Sequence, residues 1–371
     1  MKKSNLKTYK SLCSVSILIL FVFAFSQCKN ESKAYISKVG GNEVVICPID
    51  KVSDTIHLPL SSLLESCEMV KLQTIDDALF DYARHTLISD KYISIKSYGR
   101  FPVKLFNRNG QFIRNIGAIG RGPGEYSSLG GMQFNQEGNQ LYLLPETNAR
   151  KILVYDVEGN QLKDIPLVYT QRKFKGFLSP DSIITILSMP IKNDSAVCFQ
   201  QTFEGKLIQK VPPPSYLISQ DYNGEVFSSI TPNAFGFYNT VSDTLYHYNT
   251  VKNIVEPKFA LSFAEGKKSY GIYGELPGFY YCNNILVDKN TLDANYFDIK
   301  NDFFGGINVL PQFAREYFIN DVTAIYLKQQ LEKAITNKNL TDQMRQKLTD
   351  LNNSLSPDDN NIIFFGKLKQ K

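Results

Sequence analysis

The sequence predicts an all-β fold: a six-bladed β-propeller with a short C-terminal helical segment and a closing C-terminal strand. Three observations predict it. Hairpin-like runs recur with their turn glycines, Gly110, Gly159 and Gly205, spaced 49 and 46 residues apart. A second pair of strand-like runs lies upstream of each hairpin, so every unit of about 40–50 residues holds four strands, the repeat of a propeller blade. The 371 residues are 43% hydrophobic with 25 Phe, 21 Tyr and no Trp, a composition that leans toward strands, fills a core, and excludes collagen-like, low-complexity and wholly disordered chains. A β-sandwich needs no such period, and a parallel β-helix repeats far faster.

The N-terminus reads as an address. Lys2, Lys3, Lys7 and Lys10 form a basic leader, and Leu12 to Phe25 is almost wholly apolar. An apolar run of 14 residues, broken only by Ser14 and Ser16, makes the core of a secretory signal. Spanning a bilayer takes about 20. The boundary Phe25-Ser26-Gln27-Cys28 resembles a bacterial lipobox, in which a lipid is attached to the thiol and cleavage falls just before it. Gln27 departs from the small residue preferred there, and an ordinary signal peptide ending near a Cys is the alternative. The expected order is therefore signal peptide 1–27, lipidated flexible linker 28–42 attached through Cys28, propeller 43–318, and helical segment with closing strand 319–371. Of the 41 basic residues four lie in the leader, leaving 37 against 36 acidic ones. A near-neutral chain has no global electrostatic reason to seek nucleic acid.

The propeller opens with strands at 43–48 and 55–58. Residues 104–113 alternate around Asn109-Gly110, a hairpin signal, and the figure returns at 152–162 and 197–208, with weaker echoes at 244–251 and 296–303. The upstream pairs are 86–95, 132–144 and 176–186. Five clear units plus the N-terminal strands make six blades.

The stretch Phe106-Asn-Arg-Asn-Gly-Gln-Phe-Ile-Arg-Asn-Ile-Gly117, continued by Gly120-Arg-Gly-Pro-Gly-Glu-Tyr126, resembles the signature of six-bladed β-propeller lipoproteins among exported bacterial proteins, relatives of NHL-type and TolB-like propellers. The likeness covers most of the mature chain and is sharp from Lys104 to Gln161. It implies the fold and an envelope location, most naturally the outer membrane, but no chemistry.

In the tail, Ala324, Leu327, Leu331 and Ala334 recur at helical spacing, as do Leu340, Met344, Leu348, Leu351 and Leu355. Thr341 and Asp342 suit a helix start and Ser356-Pro357 a stop. Each helix has one apolar stripe, which packs on its own domain or on a partner. The run Ile362-Ile-Phe-Phe365 is expected to complete the blade begun near Glu43.

Chemistry is sparse. Gly117 to Gly124 lacks the Lys-Ser/Thr of a P-loop and the strand–helix setting of a dinucleotide fingerprint, so it reads as a connection between blades. Arg121 and Glu125 at its rim either face a ligand or pair with one another. His57, His85 and His247 are scattered, without metal-ligand spacing; three such histidines from three blades could meet at the axis only if the ring placed them there, as in the zinc-dependent lyases among NHL relatives. No GxSxG is present, and Asp76-Asp77 and Asp358-Asp359 are adjacent, so neither pair flanks a substrate. Cys47, Cys67, Cys198 and Cys282 lack CxxC spacing and read as buried free thiols. Lys267-Lys268 and the Lys-rich end 367–371 read as solubilising surface. Tyr270 to Tyr273 and Phe279 to Tyr281 read as blade packing, or else as stacking surfaces for a sugar or a protein. Asp54-Thr-Ile, Asp181-Ser-Ile, Asp194-Ser-Ala and Asp243-Thr-Leu resemble O-glycosylation acceptor triplets of exported bacterial proteins. No catalytic residue, cofactor or metal is expected. The functional expectation is a lipid-anchored, non-catalytic propeller that binds a ligand, protein or glycan. The alternative is an axial-site lyase or glycan-active hydrolase, which requires titratable groups converging at the axis.

Overall fold

The computed structural model describes residues 33–135, 137–192, 194–231, 234–263, 271–310 and 312–369. Six four-stranded antiparallel blades follow one another around a ring. Blade 1 is Ala83–Ile88, Tyr92–Ser97, Val103–Asn107 and Phe112–Ile116; blade 2 is Leu129–Phe134, Gln140–Pro145, Ala149–Asp156 and Ile165–Gln171. Blade 3 is Lys175–Leu178, Ile183–Leu187, Cys198–Thr202 and Leu207–Val211. Blade 4 is Val226–Thr231, Ala234–Asn239, Thr244–Asn249 and Ile254–Ser262; blade 5 is Tyr273–Leu276, Phe279–Cys282, Ile285–Asp288 and Ala294–Asn301. The first strand of each blade is innermost, and from blade 1 to blade 5 each touches the first strand of the next.

The turns are made as the sequence predicts. Gly110, Gly159 and Gly205 have φ of +81°, +85° and +81°, a region open to Gly without a Cβ penalty. At the first, Asn107 Oδ1 accepts from the backbone N–H groups of Asn109 and Gln111, both at 3.0 Å. A Cβ on Gly110 would lie 2.2 Å from the Lys71 carbonyl oxygen, so this turn is also where blade 1 presses on its neighbour. The glycine-rich loop connects blades 1 and 2 through a short parallel pairing of Ala118–Ile119 with Glu125–Tyr126. Glu125 folds back to accept from Gly122 N–H at 2.7 Å, while Arg121 is exposed.

Ring closure differs from expectation. The last strand, Ile362–Lys367, lies between Tyr317–Val322 and Glu68–Lys71, and Gln312–Ala314 completes this sixth blade. It does not pair with the strand near Glu43. Ile362 and Phe364 pack toward blade 5, whereas Ile363 and Phe365 pack toward blade 1. Burial on both faces explains the unbroken apolar run. Glu68–Lys71 is short and charged at both ends, with Val70 buried between, so its alternation is too brief to announce a strand.

The N-terminal segment is an external belt. Tyr35–Val39, within the span expected to be a linker, pairs with Asn42–Pro48. The latter adds in parallel to the outer edge of blade 4, and Thr55–Pro59 adds in parallel to the outer edge of blade 5. Val44 and Cys47 are buried along this belt, and Cys47 joins the core between blades 4 and 5. The chain then supplies the outer strand of blade 6 before entering blade 1, so blades 4 and 5 carry added outer strands and blade 6 takes its fourth strand from ahead of blade 1.

Helices α1 (Ala324–Ile335) and α2 (Asp342–Ser354) are an insertion within blade 6 and not an appendage after the propeller, because they fall between its second and third strands. Leu327, Leu331 and Leu348 bury against Phe304 and Phe364, so both apolar stripes are used within the chain. Thr341 Oγ1 accepts from Met344 N–H at 3.2 Å as the α2 N-cap. Lys328 of α1 donates to the Asn352 and Leu355 carbonyls at the end of α2, at 2.8 and 3.1 Å.

Candidate functional site

The inner strands of blades 1 to 4 all begin on one face of the ring, and charged residues gather there. Arg84, on the first strand of blade 1, forms a two-point ion pair with Glu146 of blade 2 at 2.6 and 3.0 Å. Lys173, just before blade 3, pairs with Glu225, just before blade 4, at 2.6 Å. Lys175 of blade 3 donates to the Gly130 carbonyl of blade 2 at 2.7 Å. These side chains keep partial access to solvent: Arg84 is 30% exposed, Lys173 32% and Glu225 37%. They form the mouth of the ring axis.

The groups feel one another across the mouth. The hydrogen bonds that Arg84 donates to Glu146 raise its pKa, with Glu225 of blade 4 adding to the effect. Burial alone would raise Glu146, but the Arg84 guanidinium outweighs it and holds the carboxyl below its usual range. Burial, then repulsion from Arg84, lowers Lys175. His85, beside Arg84, is pushed down to about 3 by burial and by the positive charges of Lys175 and Arg84. Its Nε2 is shut from solvent and has no hydrogen-bond partner. The Lys96 ammonium, on the next strand, is satisfied by the carbonyls of Ser97 at 2.6 Å and Gly99 at 3.1 Å.

Aromatic side chains stand around the charges. Tyr98, 63% exposed, lies close enough to influence Arg84, and its N–H bonds the carbonyl of Tyr82, itself 68% exposed. On the opposite rim Tyr222 is 66% exposed, and Arg172 lies 4.8 Å over its ring. Beside Arg172, a polar cleft of about 50 Å³ is lined by Gln171, Ser188, Asp194 and Ser195. Toward the opposite face the inner strand of blade 3 continues into Phe177, which packs edge-on against Phe235 at 5.2 Å and under the Arg315 guanidinium at 4.5 Å. The axis therefore has ion pairs at one end and, at the other, aromatic rings with the Arg315 guanidinium over them. A separate groove of about 520 Å³ on that second face, at the seam of blades 6 and 1, is lined by Glu68, Asp90, Arg108, Tyr317 and Lys367. Arg108 there is already held by Glu68 at 2.8 Å and by the Phe365 ring at 4.3 Å.

The residues singled out in the sequence do not meet. His57 lies on the outermost strand of blade 5, paired with Asp298 at 2.6 Å. His247 is on the third strand of blade 4, paired with Glu275 at 2.6 Å. Only His85 is on an inner strand. Among the described residues no three His, Cys, Asp or Glu side chains gather as metal ligands. Asp359 pairs with Lys71 at 2.6 Å and caps Ser356 N–H, a structural use. Tyr273 is buried, Tyr280 stacks on Phe259 at 5.3 Å, and Tyr281 packs on Phe313 at 5.8 Å, so this aromatic group joins blades. Cys47, Cys67, Cys198 and Cys282 are free thiols, and burial raises all four, Cys47 to about 11 and Cys67 and Cys282 to about 12. Ser182 and Ser195 of the acceptor triplets are exposed. Cys28 and the leader lie outside the described residues.

Arg84, Glu146, Lys173, Lys175 and Glu225 were not singled out in the sequence. Their signal is positional: each sits at or just before the start of a blade's first strand, or just after the end of its second. Only superposing the repeats reveals that.

The sequence model of a domain of unknown function, DUF4934, matches residues 44–276, from the belt to the inner strand of blade 5. The chain belongs to the DUF4934 family. No curated protein matches it. Among solved structures, this DUF4934 chain is similar to a Bacteroides fragilis protein described as exported, with a TM-score of 0.59 and 17% identity over 86% of this chain and 99% of that one. It is also matched by a DUF4221 family member from Bacteroides vulgatus, with a TM-score of 0.45 and 12% identity over 83% and 98% of the two chains. An auxiliary nutrient binding protein from Bacteroides thetaiotaomicron gives 0.40 and 10% over 61% and 64%. The first likeness shows a shared fold. Among the described residues of the DUF4934 chain, no helix is long and apolar enough to cross a membrane.

Proposed function

We propose that this protein is an exported propeller, lipid-anchored to the cell envelope at Cys28, that binds a ligand at the mouth of its axis without transforming it. The observation that carries the reading is the gathering of Arg84, Glu146, Lys173, Lys175 and Glu225 from four blades at one solvent-accessible point, ringed by exposed Tyr98 and Tyr222. Polar groups fixed by a rigid ring and bordered by aromatic surface are the makings of a binding seat. A ligand that binds only the folded state raises its stability by mass action. In a thermal-shift screen of sugars, organic acids and peptides, the ligand that stabilises the protein is expected to lose its effect in Tyr98→Ala/Tyr222→Ala and keep it in Lys369→Ala, on the opposite face. A shift that survives the mouth substitutions places the seat elsewhere.

The second reading, an acid–base enzyme, is favoured by one feature: burial holds His85 neutral at physiological pH beside the Lys175 side chain. Against it, His85 Nε2 is closed to solvent, and Arg84 and Lys173 are already paired. Turnover of the bound ligand, abolished by His85→Asn, would decide for the enzyme.

The anchor is tested separately. Cys28→Ala is expected to move the protein from the membrane fraction to the soluble fraction and to abolish labelling by a fatty-acid probe. Labelling that persists, or a mature N-terminus other than Cys28, favours an ordinary secreted protein.

A further inference from the structure

We infer that the occupant of the mouth is an acidic carbohydrate, a sugar chain bearing carboxylates. The inference rests on the mouth being the ligand seat.

The charge balance comes first. Arg84 is matched by Glu146, and Lys173 by Glu225. Lys175 stands among them without an acidic partner in ion-pair range among the described residues. Its single hydrogen bond goes to the Gly130 carbonyl, which leaves two of its three N–H donors. Lys175 is half-buried, and burial lowers its pKa, so its charge is costly as the protein stands. An anion at this point would remove that cost, and a neutral ligand would not. Arg84 is adjacent, and its planar guanidinium keeps further donors beyond the two used by Glu146.

The second observation is the kind of surface around the cation. Tyr98 beside Arg84 and Tyr222 beside Lys173 present exposed rings on opposite rims. Rigid aromatic faces stack on the apolar faces of sugar rings, and their hydroxyls serve the sugar's own. In the neighbouring cleft of about 50 Å³ Ser188 Oγ donates to Gln171 Oε1 at 2.6 Å, which leaves the Ser195 hydroxyl, the Asp194 carboxylate and the Ser188 lone pairs to meet sugar hydroxyls. A nucleic acid would call for a broad basic surface; at the mouth, among the described residues, the cations without an acidic partner are Lys175 and Lys96, and Lys96 already donates to two backbone carbonyls. A uronate unit combines the three features required: a carboxylate for Lys175, a ring face for tyrosine, and hydroxyls for the cleft.

Binding is measured by calorimetry with three probes of equal length: oligogalacturonate, its methyl ester, and a sulfated oligosaccharide. The expected result is binding of oligogalacturonate at least tenfold tighter than its ester, weakening with added salt, with a loss of tenfold or more in Lys175→Met and in Tyr98→Ala/Tyr222→Ala. The circular dichroism melt of each variant must match the parent, and Lys175→Arg should retain most of the affinity. Preference for the sulfated probe overturns the carboxylate assignment. Equal binding of the ester, lost in the tyrosine variant and kept in Lys175→Met, overturns the acidic ligand and leaves the mouth as the seat. Binding untouched by any mouth substitution overturns both, and the absence of binding by all three probes overturns the carbohydrate.

Discussion

A protein truncated after Ser356 is expected to aggregate or to melt far below the intact chain. Truncation removes Ile362, Ile363, Phe364 and Phe365, each with no exposed surface. Burial of each is worth about 1.5–3 kcal/mol, or roughly 6–12 kcal/mol together, against the roughly 5–15 kcal/mol that holds a domain together. It also leaves Tyr317–Val322 and Glu68–Lys71 facing an empty position, with their backbone donors and acceptors unpaired. Since alternate residues of this strand serve different cores, blades 5 and 1 both lose their seal to blade 6. Phe364→Ala, which leaves the strand in place, should cost about 3–5 kcal/mol and give a graded version of the same loss. Soluble expression and thermal unfolding of both forms check the expectation. An unchanged melting temperature in the truncated protein would mean that the belt over blades 4 and 5 closes the ring without this strand.

The second large effect is acid destabilisation through His85. Its pKa is 6.5 when unfolded and about 3 in the ring. Above pH 6.5 the imidazole is neutral in both states, and its contribution to stability is fully present. As pH falls below 6.5 the unfolded chain takes up a proton that the folded chain refuses, so stability is lost progressively toward pH 3. At about 1.4 kcal/mol per pH unit, the loss between pH 6.5 and 4 is roughly 3 kcal/mol. The groups that set this are the buried surroundings and the positive charges of Lys175 and Arg84, partly offset by Glu146. His85→Asn has no proton to refuse, and its urea midpoint is expected to fall less over this range. Asp321 acts in the opposite sense: burial raises it to about 6, so it contributes stability that is lost as pH rises from 3.8 through 6. It is common to both proteins and cancels in the difference between them. Parallel pH profiles for the parent and His85→Asn would show that His85 takes up its proton in the folded state.

The mouth illustrates why a functional site can be invisible in a sequence whose fold is plain. Arg84 and Glu146 are 62 residues apart and Lys173 and Glu225 are 52 apart, and no spacing rule joins them. His85 resembled any other strand histidine until the ring placed it beside Lys175. In contrast, the glycine-rich loop was the most conspicuous local feature, and it proves to be a connection whose carboxylate, Glu125, turns back on its own backbone.

The sequence by itself determined the blade: the hairpins at Gly110, Gly159 and Gly205, the strand period, the two amphipathic helices and the final apolar strand. Each depends on residues near one another in the chain, through turn geometry, alternation or helical spacing, and these act before any distant contact forms. The tertiary structure alone decided that Asn42–Pro48 and Thr55–Pro59 lie outside blades 4 and 5, that Glu68–Lys71 receives the closing strand, and that charges from four blades meet at one end of the axis. Those outcomes join residues tens to hundreds of positions apart. They are chosen by which faces can be buried once the ring exists, a quantity that no local pattern of side chains encodes.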